Sequence, residues 1–280
     1  MKVITIPEEV FRTLDLQSYY DDIGLVPTMG FLHEGHLSLV RRCRKENSIC
    51  VVSIFVNPIQ FGQGEDLGSY PRDMNRDLEL LEKEKVDFVF APEPSAMYSP
   101  QFSTFVEETD LSTGMCGSSR PGHFRGVCTV VLKLLNIIRP SRAYFGEKDY
   151  QQLQVIRRMT DDLNLPLEIV GCPIVREEDG LAMSSRNMYL SPDERKSALL
   201  LNRALSRARD LFEKGERSGT VLERTVRDIL NSDRKVDCEY VCVKDAASLK
   251  DISRINREAV IAIAARVGKA RLIDNIRIQP

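Results

Sequence analysis

The stretch 23–44 reads IGLVPTMGFLHEGHLSLVRRCR. Ile23-Gly24-Leu25-Val26 is an apolar run, Pro27-Thr28-Met29-Gly30 supplies a turn, and 37–44 carry an amphipathic helical pattern. Strand, glycine-containing turn and helix start form the opening of a βα unit. That arrangement gathers backbone N–H groups and the positive end of a helix around an anion. Two of the three histidines fall in the tetrapeptide His33-Glu34-Gly35-His36 at the helix start. Spaced three apart, both imidazoles can face a phosphate and follow charge as it develops there. Gly35 removes a side chain where a flat base could press on the backbone. The plainer alternative is a helix N-terminus with ordinary surface histidines.

Outward from this unit, apolar β-branched runs alternate with helix-period segments through the first 170 or so residues. Strands are expected over 23–26, 49–56, 86–90, 142–145 and 167–170, and helices over 36–47, 72–84, 127–138 and 150–163. Such alternation predicts right-handed βαβ units and a doubly wound, Rossmann-like parallel sheet, α/β in class. The run 49–56 is apolar on both sides, as a central parallel strand should be. Ligands of such sheets bind beyond the carboxyl ends of the strands. After Val175 the pattern changes. Ser191, Pro192 and Glu194 form a predicted capping box opening a helix over 192–214, a second helix follows over 220–230, and alternation over 236–243, 259–267 and 271–278 predicts antiparallel strands. Two domains are expected, 1–174 and a smaller α+β domain over 175–280.

Composition narrows the function. With 280 residues, 42% hydrophobic and 29% charged, the chain has ample material for a globular core. A net charge of −2 gives no general attraction to nucleic acid or to an anionic membrane. The N-terminal residues lack the apolar region of a signal peptide, and the longest apolar run, 259–265, is far too short to span a bilayer. Seven cysteines without a C-x-x-C pair fit reduced thiols and a cytoplasmic location. They also show no zinc-like grouping with the histidines.

Four further segments carry candidate chemistry. Gly146-Glu147-Lys148-Asp149 follows an expected strand, where a lysine could neutralise charge on a migrating phosphate; a solvated charged turn is the other reading. Met183-Ser184-Ser185-Arg186-Asn187 offers hydroxyls and a forked guanidinium suited to phosphate oxygens, or else is a polar interdomain loop. Asn57 and Gln60 are neutral amides past the strand over 49–56, suited to a small polar substrate or to capping a turn. Arg120-Pro121-Gly122-His123-Phe124-Arg125 is an anion-facing loop or the polar start of a buried helix. No P-loop, no GxGxxG spacing and no GxSxG nucleophile elbow occurs.

Taken together and in order, PTMGFLHEGH, VVSIFVNPIQFG, RPGHFRGV, FGEKDYQQL and LAMSSRN, with the tail RLIDNI, resemble the pantothenate synthetases, or pantoate–β-alanine ligases. That family belongs to the nucleotidyltransferases with HIGH-like and KMSKS-like signatures shared with class I aminoacyl-tRNA synthetases. HEGH stands here for the first signature and MSSRN for the second. The resemblance implies an ATP site made of Met29, Gly30, Phe31, Leu32, His33, Glu34, Gly35 and His36, with Gly146, Glu147, Lys148, Asp149, Val175, Met183, Ser184, Ser185 and Arg186. It implies that His36, His33 and Lys148 are catalytic and that Gln60 and Gln152 bind pantoate, Gln60 lying also near β-alanine. The smaller domain would then be a lid over ATP, with ATP and Mg2+ used together and a cytoplasmic homodimer as the assembly. Relatives often carry adjacent acidic residues where Arg76 here interrupts Asp73-Met74-Asn75-Arg76-Asp77, so no protein ligand is assigned to the metal.

The expected reaction joins pantoate to β-alanine through a pantoyl-adenylate, releasing pyrophosphate and AMP. The family histidine is usually described as a proton donor; His36 is read here as a donor that stabilises charge. An adenylyltransferase acting on a phosphorylated acceptor would want basic residues where Asn57, Gln60 and Gln152 are neutral. An RNA-binding relic of a synthetase would want a basic stripe, which the chain lacks. A non-catalytic nucleotide sensor would not need Lys148 and both HEGH histidines.

Overall fold

A computed structural model describes residues 1–15 and 22–280. In chain order its strands are β1 (Lys2–Ile4), β2 (Ile23–Thr28), β3 (Ile49–Ile54), β4 (Phe88–Phe90), β5 (Arg142–Gly146), β6 (Glu168–Cys172), β7 (Val236–Asp245), β8 (Ala259–Val267) and β9 (Ala270–Ile278). The helices are α1 (Pro7–Asp15), α2 (Glu34–Glu46), α3 (Met74–Lys83), α4 (Pro94–Met97), α5 (Cys116–Ser119), α6 (His123–Ile138), α7 (Tyr150–Asp162), α8 (Pro192–Glu213) and α9 (Gly219–Leu230). The chain divides into two compact units. The first takes Met1–Thr113, Arg120–Glu147 and Gln152–Pro173, and the second takes Gly114–Ser119, Lys148–Gln151 and Ile174–Pro280.

The first unit is built on a six-stranded, fully parallel sheet in the order β1-β4-β3-β2-β5-β6. From β2 the chain winds outward through β3 and β4, then crosses to the other side of β2 for β5 and β6. Winding therefore reverses between β2 and β5, and the carboxyl ends Thr28 and Gly146 flank the switch point where such sheets take ligands. This is the doubly wound sheet that the alternating pattern predicts. Strand β3 is buried at every position, which explains its unbroken apolar run. Helix α2 turns Leu37, Leu39, Val40 and Cys43 onto β2, β3 and β5, where they meet Val26, Cys50, Val52 and Tyr144. Four short elements were not expected from periodicity: edge strand β1, only three residues long, α1 after it, and the four-residue helices α4 and α5. Helix α6 starts at His123, earlier than the apolar period alone suggests, because Gly122 caps it in the left-handed conformation and His123 and Phe124 are themselves buried.

The second unit is an antiparallel sheet in the order β7-β8-β9, covered by α8 and α9. Ile261, Ile263, Ala265 and Val267 of β8 share one core with Leu201, Leu205, Leu222 and Val226 of the helices. The capping box opening α8 forms as its sequence requires. The Glu194 N–H donates to Ser191 Oγ at 3.3 Å, and the Ser191 N–H donates to Glu194 Oε2 at 2.8 Å.

Candidate active site

In the first unit the chain leaves β2 through two consecutive left-handed residues, Gly30 (φ 80°) and Phe31 (φ 50°). Glycine takes this conformation freely, and a Cβ at Gly30 would stand 3.1 Å from the Asp77 carboxylate. For Phe31 the conformation costs about 1–3 kcal/mol. What holds it is Asp77 on the first turn of α3. Oδ2 accepts the Phe31 N–H at 2.6 Å and Oδ1 accepts the Leu32 N–H at 2.8 Å. The Asp77 carboxylate is 1% exposed. Burial pushes its pKa above the usual carboxylate value, and the Leu32 and Phe31 N–H groups oppose that rise. The Arg76 guanidinium stands 3.6 Å from Asp77 Oδ1 and 5.1 Å from the Phe31 ring centroid.

This turn delivers His33 as the N-cap of α2, so the HEGH segment is the first turn of a helix. The His33 N–H donates to His36 Nδ1 at 3.3 Å. With Nδ1 accepting, a neutral His36 ring carries its proton on Nε2, which makes that atom a donor. The two rings lie 4.0 Å apart between centroids. Glu34 pairs with Arg41, which also grips Glu84, so its carboxylate belongs to a helix-surface ion pair.

Gln60 sits in the 3-10 turn Pro58–Gln60 after β3, and its amide is buried. Its Oε1 accepts from Asn57 Nδ2 at 3.0 Å, and its Nε2 donates to Met29 Sδ at 3.2 Å. The last bond ties the expected acid-binding amide to the expected ATP loop. Asn57 is fixed in turn by Tyr98, whose hydroxyl donates to Oδ1 at 2.7 Å, and by the Gly126 carbonyl at 3.1 Å from Nδ2. Helix α6 reaches this turn only because residue 126 is glycine: a Cβ there would stand 2.5 Å from the Ile59 carbonyl oxygen. The RPGHFR segment is a lock for the same turn. Glu65 takes Arg120 Nε and Nη2 at 2.7 and 2.6 Å, Arg120 Nη1 meets His123 Nε2 at 3.0 Å, and His123 Nδ1 meets the Gln60 carbonyl at 2.9 Å. Gln152 is half-buried on α7. Gly146 and Glu147 close β5 at the switch point.

In the second unit, Lys148 Nζ lies 3.7 Å from Asp149 Oδ2. Val175 and Met183 face each other across a hairpin, the Met183 N–H donating to the Val175 carbonyl at 3.0 Å. Gly180 (φ 94°) makes the turn of that hairpin. Ser184 caps the following 3-10 turn, accepting the Arg186 N–H at 3.3 Å, and Ser185 is buried. Asn187 Nδ2 donates to Glu177 Oε1 at 2.6 Å, fastening this turn to the hairpin. The neighbouring Gln151, to which no role was given, is 4% exposed and bonds the Cys116 N–H and the Gly114 carbonyl at 2.9 and 2.7 Å.

The family model for pantoate-beta-alanine ligase matches residues 2–277. The chain belongs to the pantoate–β-alanine ligase family. It is 56% identical over 276 residues to a pantothenate synthetase of Thermotoga neapolitana, covering 98% of this chain and 99% of that one. A pantothenate synthetase of Pseudothermotoga lettingae is 59% identical over 253 residues, 90% of each chain. Among solved structures, pantothenate synthetase from Thermus thermophilus superposes with a TM-score of 0.96 at 46% identity, all of both chains being covered. The ligase of Francisella tularensis, solved with beta-gamma ATP and beta-alanine, gives 0.81 at 32% identity, covering 99% of this chain and 97% of that one.

Three residues to which the sequence motifs gave no role do structural work near them in this ligase: Asp77, and Asp274 and Asn275 of the tail RLIDNI. Asp77 was given no role, since a side chain that bonds backbone 46 positions away leaves no spacing signal. Asp73 of the same stretch caps α3, accepting the Arg76 N–H at 3.1 Å.

Proposed function

We infer that this chain joins pantoate to β-alanine with ATP, by way of a pantoyl-adenylate. A pantoate carboxylate oxygen attacks the α-phosphorus, and the bond to the bridging oxygen breaks, releasing pyrophosphate. The β-alanine amine then attacks the activated carbonyl carbon; AMP departs with the bonding pair, and the amine gives its extra proton to solvent. The observation that carries the reading is the His33 N–H bond to His36 Nδ1 at a helix N-terminus, which leaves Nε2–H as a donor beside the helix's positive end.

In this reading His33, His36, Lys148, Ser184, Ser185 and Arg186 stabilise charge on the transferring and departing phosphates. Met29 to Leu32, Glu34, Gly35, Gly146, Glu147, Asp149, Val175 and Met183 complete the nucleotide's surroundings. Gln60 and Gln152 receive pantoate, the first held by Asn57 and Met29. The smaller unit serves as a lid that keeps water from the mixed anhydride.

Mg2+ accompanies ATP in the proposal. Asp73 and Asp77 are engaged by backbone N–H groups, and among the described residues no three His, Cys, Asp or Glu side chains gather as a metal cage. No protein residue is assigned to hold the ion, since a hard cation that arrives with a triphosphate would need few protein ligands. When bound it supplies positive charge to the triphosphate.

A cytoplasmic location is supported by seven unbridged thiols. Among the described residues no helix is long and apolar enough to cross a membrane. A homodimer is part of the proposal. Sedimentation of the native protein at twice the chain mass is the expected result. The activity is tested by measuring AMP with pantoate and β-alanine omitted in turn. AMP formation that requires both supports the ligase, and AMP formed at full rate without pantoate overturns it.

A further inference from the structure

Strand β9 breaks its own pattern at two adjacent positions. Ala270, Leu272 and Ile278 belong to the apolar core under α8 and α9, and Ile276 packs against it. Side chains alternate along a strand, so Asp274 shares that apolar face and Asn275 takes the other. Both are nonetheless buried, at 3% and 4% exposed. Replacing a buried ion pair by apolar packing of similar volume is often neutral or stabilising, so the interest of Asp274 here lies in the geometry its pair sets.

Each residue leads to one of the proposed phosphate-binding segments of the second unit. Asp274 holds Arg176 by two parallel bonds of 2.7 and 2.9 Å. Arg176 Nη1 also bonds the Gly180 carbonyl at 3.1 Å, fixing the hairpin that ends in Met183 and continues into Ser184-Ser185-Arg186. Asn275 Nδ2 donates to the Lys148 carbonyl at 2.9 Å, fixing the peptide from which that ammonium projects. The two are joined to each other, because the Asn275 N–H donates to Asp274 Oδ1 at 2.8 Å.

We propose that Asp274 and Asn275 are positioning residues for adenylation, one strand setting the spacing between Lys148 and the Ser184–Arg186 donors. The proposal rests on the reading that Lys148 and those donors serve the nucleotide. Neither strand residue touches substrate in this scheme; each acts through another group.

The test is a pair of double-mutant cycles read as pantoate-dependent pyrophosphate release, with melting temperature followed in parallel. K148A is expected to slow release by about a hundredfold. N275D, which keeps shape but loses the donor, slows it by about tenfold in the wild-type background and by less than about twofold in K148A. D274N behaves likewise against R186A. A structural role alone would instead lower the melting temperature and slow both backgrounds by the same factor, and that result overturns the proposal. K148A at the wild-type rate would overturn the nucleotide reading of Lys148, a failure distinct from additivity in the cycle. If N275D does not fold, N275A is read in the same cycle with the same two outcomes.

Discussion

The carboxylate of Asp77 holds the backbone of Phe31 in a left-handed turn, 2.6 Å from Oδ2 to the amide nitrogen, across 46 residues of chain. The Leu32 amide takes the other oxygen at 2.8 Å. An aromatic residue does not keep a positive φ unaided, and the turn it makes sets where α2 begins and hence where His33 and His36 stand. Asn at position 77 would turn an amide NH2 donor against one of those N–H groups. D77N is expected to lose about 1–3 kcal/mol in urea unfolding. It should also slow pantoate-dependent pyrophosphate release by about a hundredfold, the scale of a displacement near 1 Å in a positioned group. Wild-type turnover in a folded D77N protein would show that the turn is kept by something else.

His36 is expected to act as a hydrogen-bond donor to developing phosphate charge, its Nδ1 being occupied by the His33 N–H. H36A should reduce pyrophosphate release by about a hundred- to a thousandfold, the range for loss of one such donor, with the KM for ATP changed far less. Steady-state kinetics over an ATP titration checks both parts. A raised KM with kcat intact would instead assign His36 to ground-state binding.

Much of this arrangement was legible in the linear chain, and the reason is locality. The β2–turn–α2 unit, the capping box of Ser191 and Glu194 and the buried run of β3 each declare themselves within ten or so residues, the reach of periodicity and turn chemistry. The HEGH and MSSRN segments were visible for the same reason. Edge strand β1 was missed because three residues carry no period, and the start of α6 was read late because His123 and Arg125 look polar. Long-range partners were the deeper gap. Asp77 to Phe31, Asp274 to Arg176 and Asn275 to Lys148 join residues far apart in sequence, and the spacing of one partner says nothing of the other. The two open readings of RPGHFR resolve toward structure for Arg120 and His123, whose polar atoms meet Glu65 and the Gln60 turn.

Gly126 marks where α6 touches the Gln60 turn. A methyl group there would stand 2.5 Å from the Ile59 carbonyl oxygen and 2.6 Å from Gln60 Cα, both backbone atoms that move only with the whole turn. G126A is expected to cost about 1–3 kcal/mol of stability by overpacking. Because the displaced turn carries Gln60, the KM for pantoate should rise while the KM for ATP holds. Equal KM values for pantoate in G126A and wild type would detach Gln60 from acid binding.

The Glu65–Arg120 pair gives the acid limb of stability a definite sign. Burial alone would raise the Glu65 pKa, but the two Arg120 bonds at 2.6 and 2.7 Å and the guanidinium charge outweigh it and hold the carboxyl below its usual value. An acid with a depressed pKa in the folded state binds its proton more readily when unfolded. The pair's contribution is therefore complete above the unfolded value of about 4.3 and is lost as pH falls through the folded one. E65Q removes this titration. At pH 7 it should melt below wild type, and the gap should narrow steadily as the pH is taken from about 4.3 toward 3. Melting temperatures of both proteins across that window decide the matter, since a gap that stays constant to pH 3 would mean that the Glu65 carboxyl titrates alike in the folded and unfolded chain.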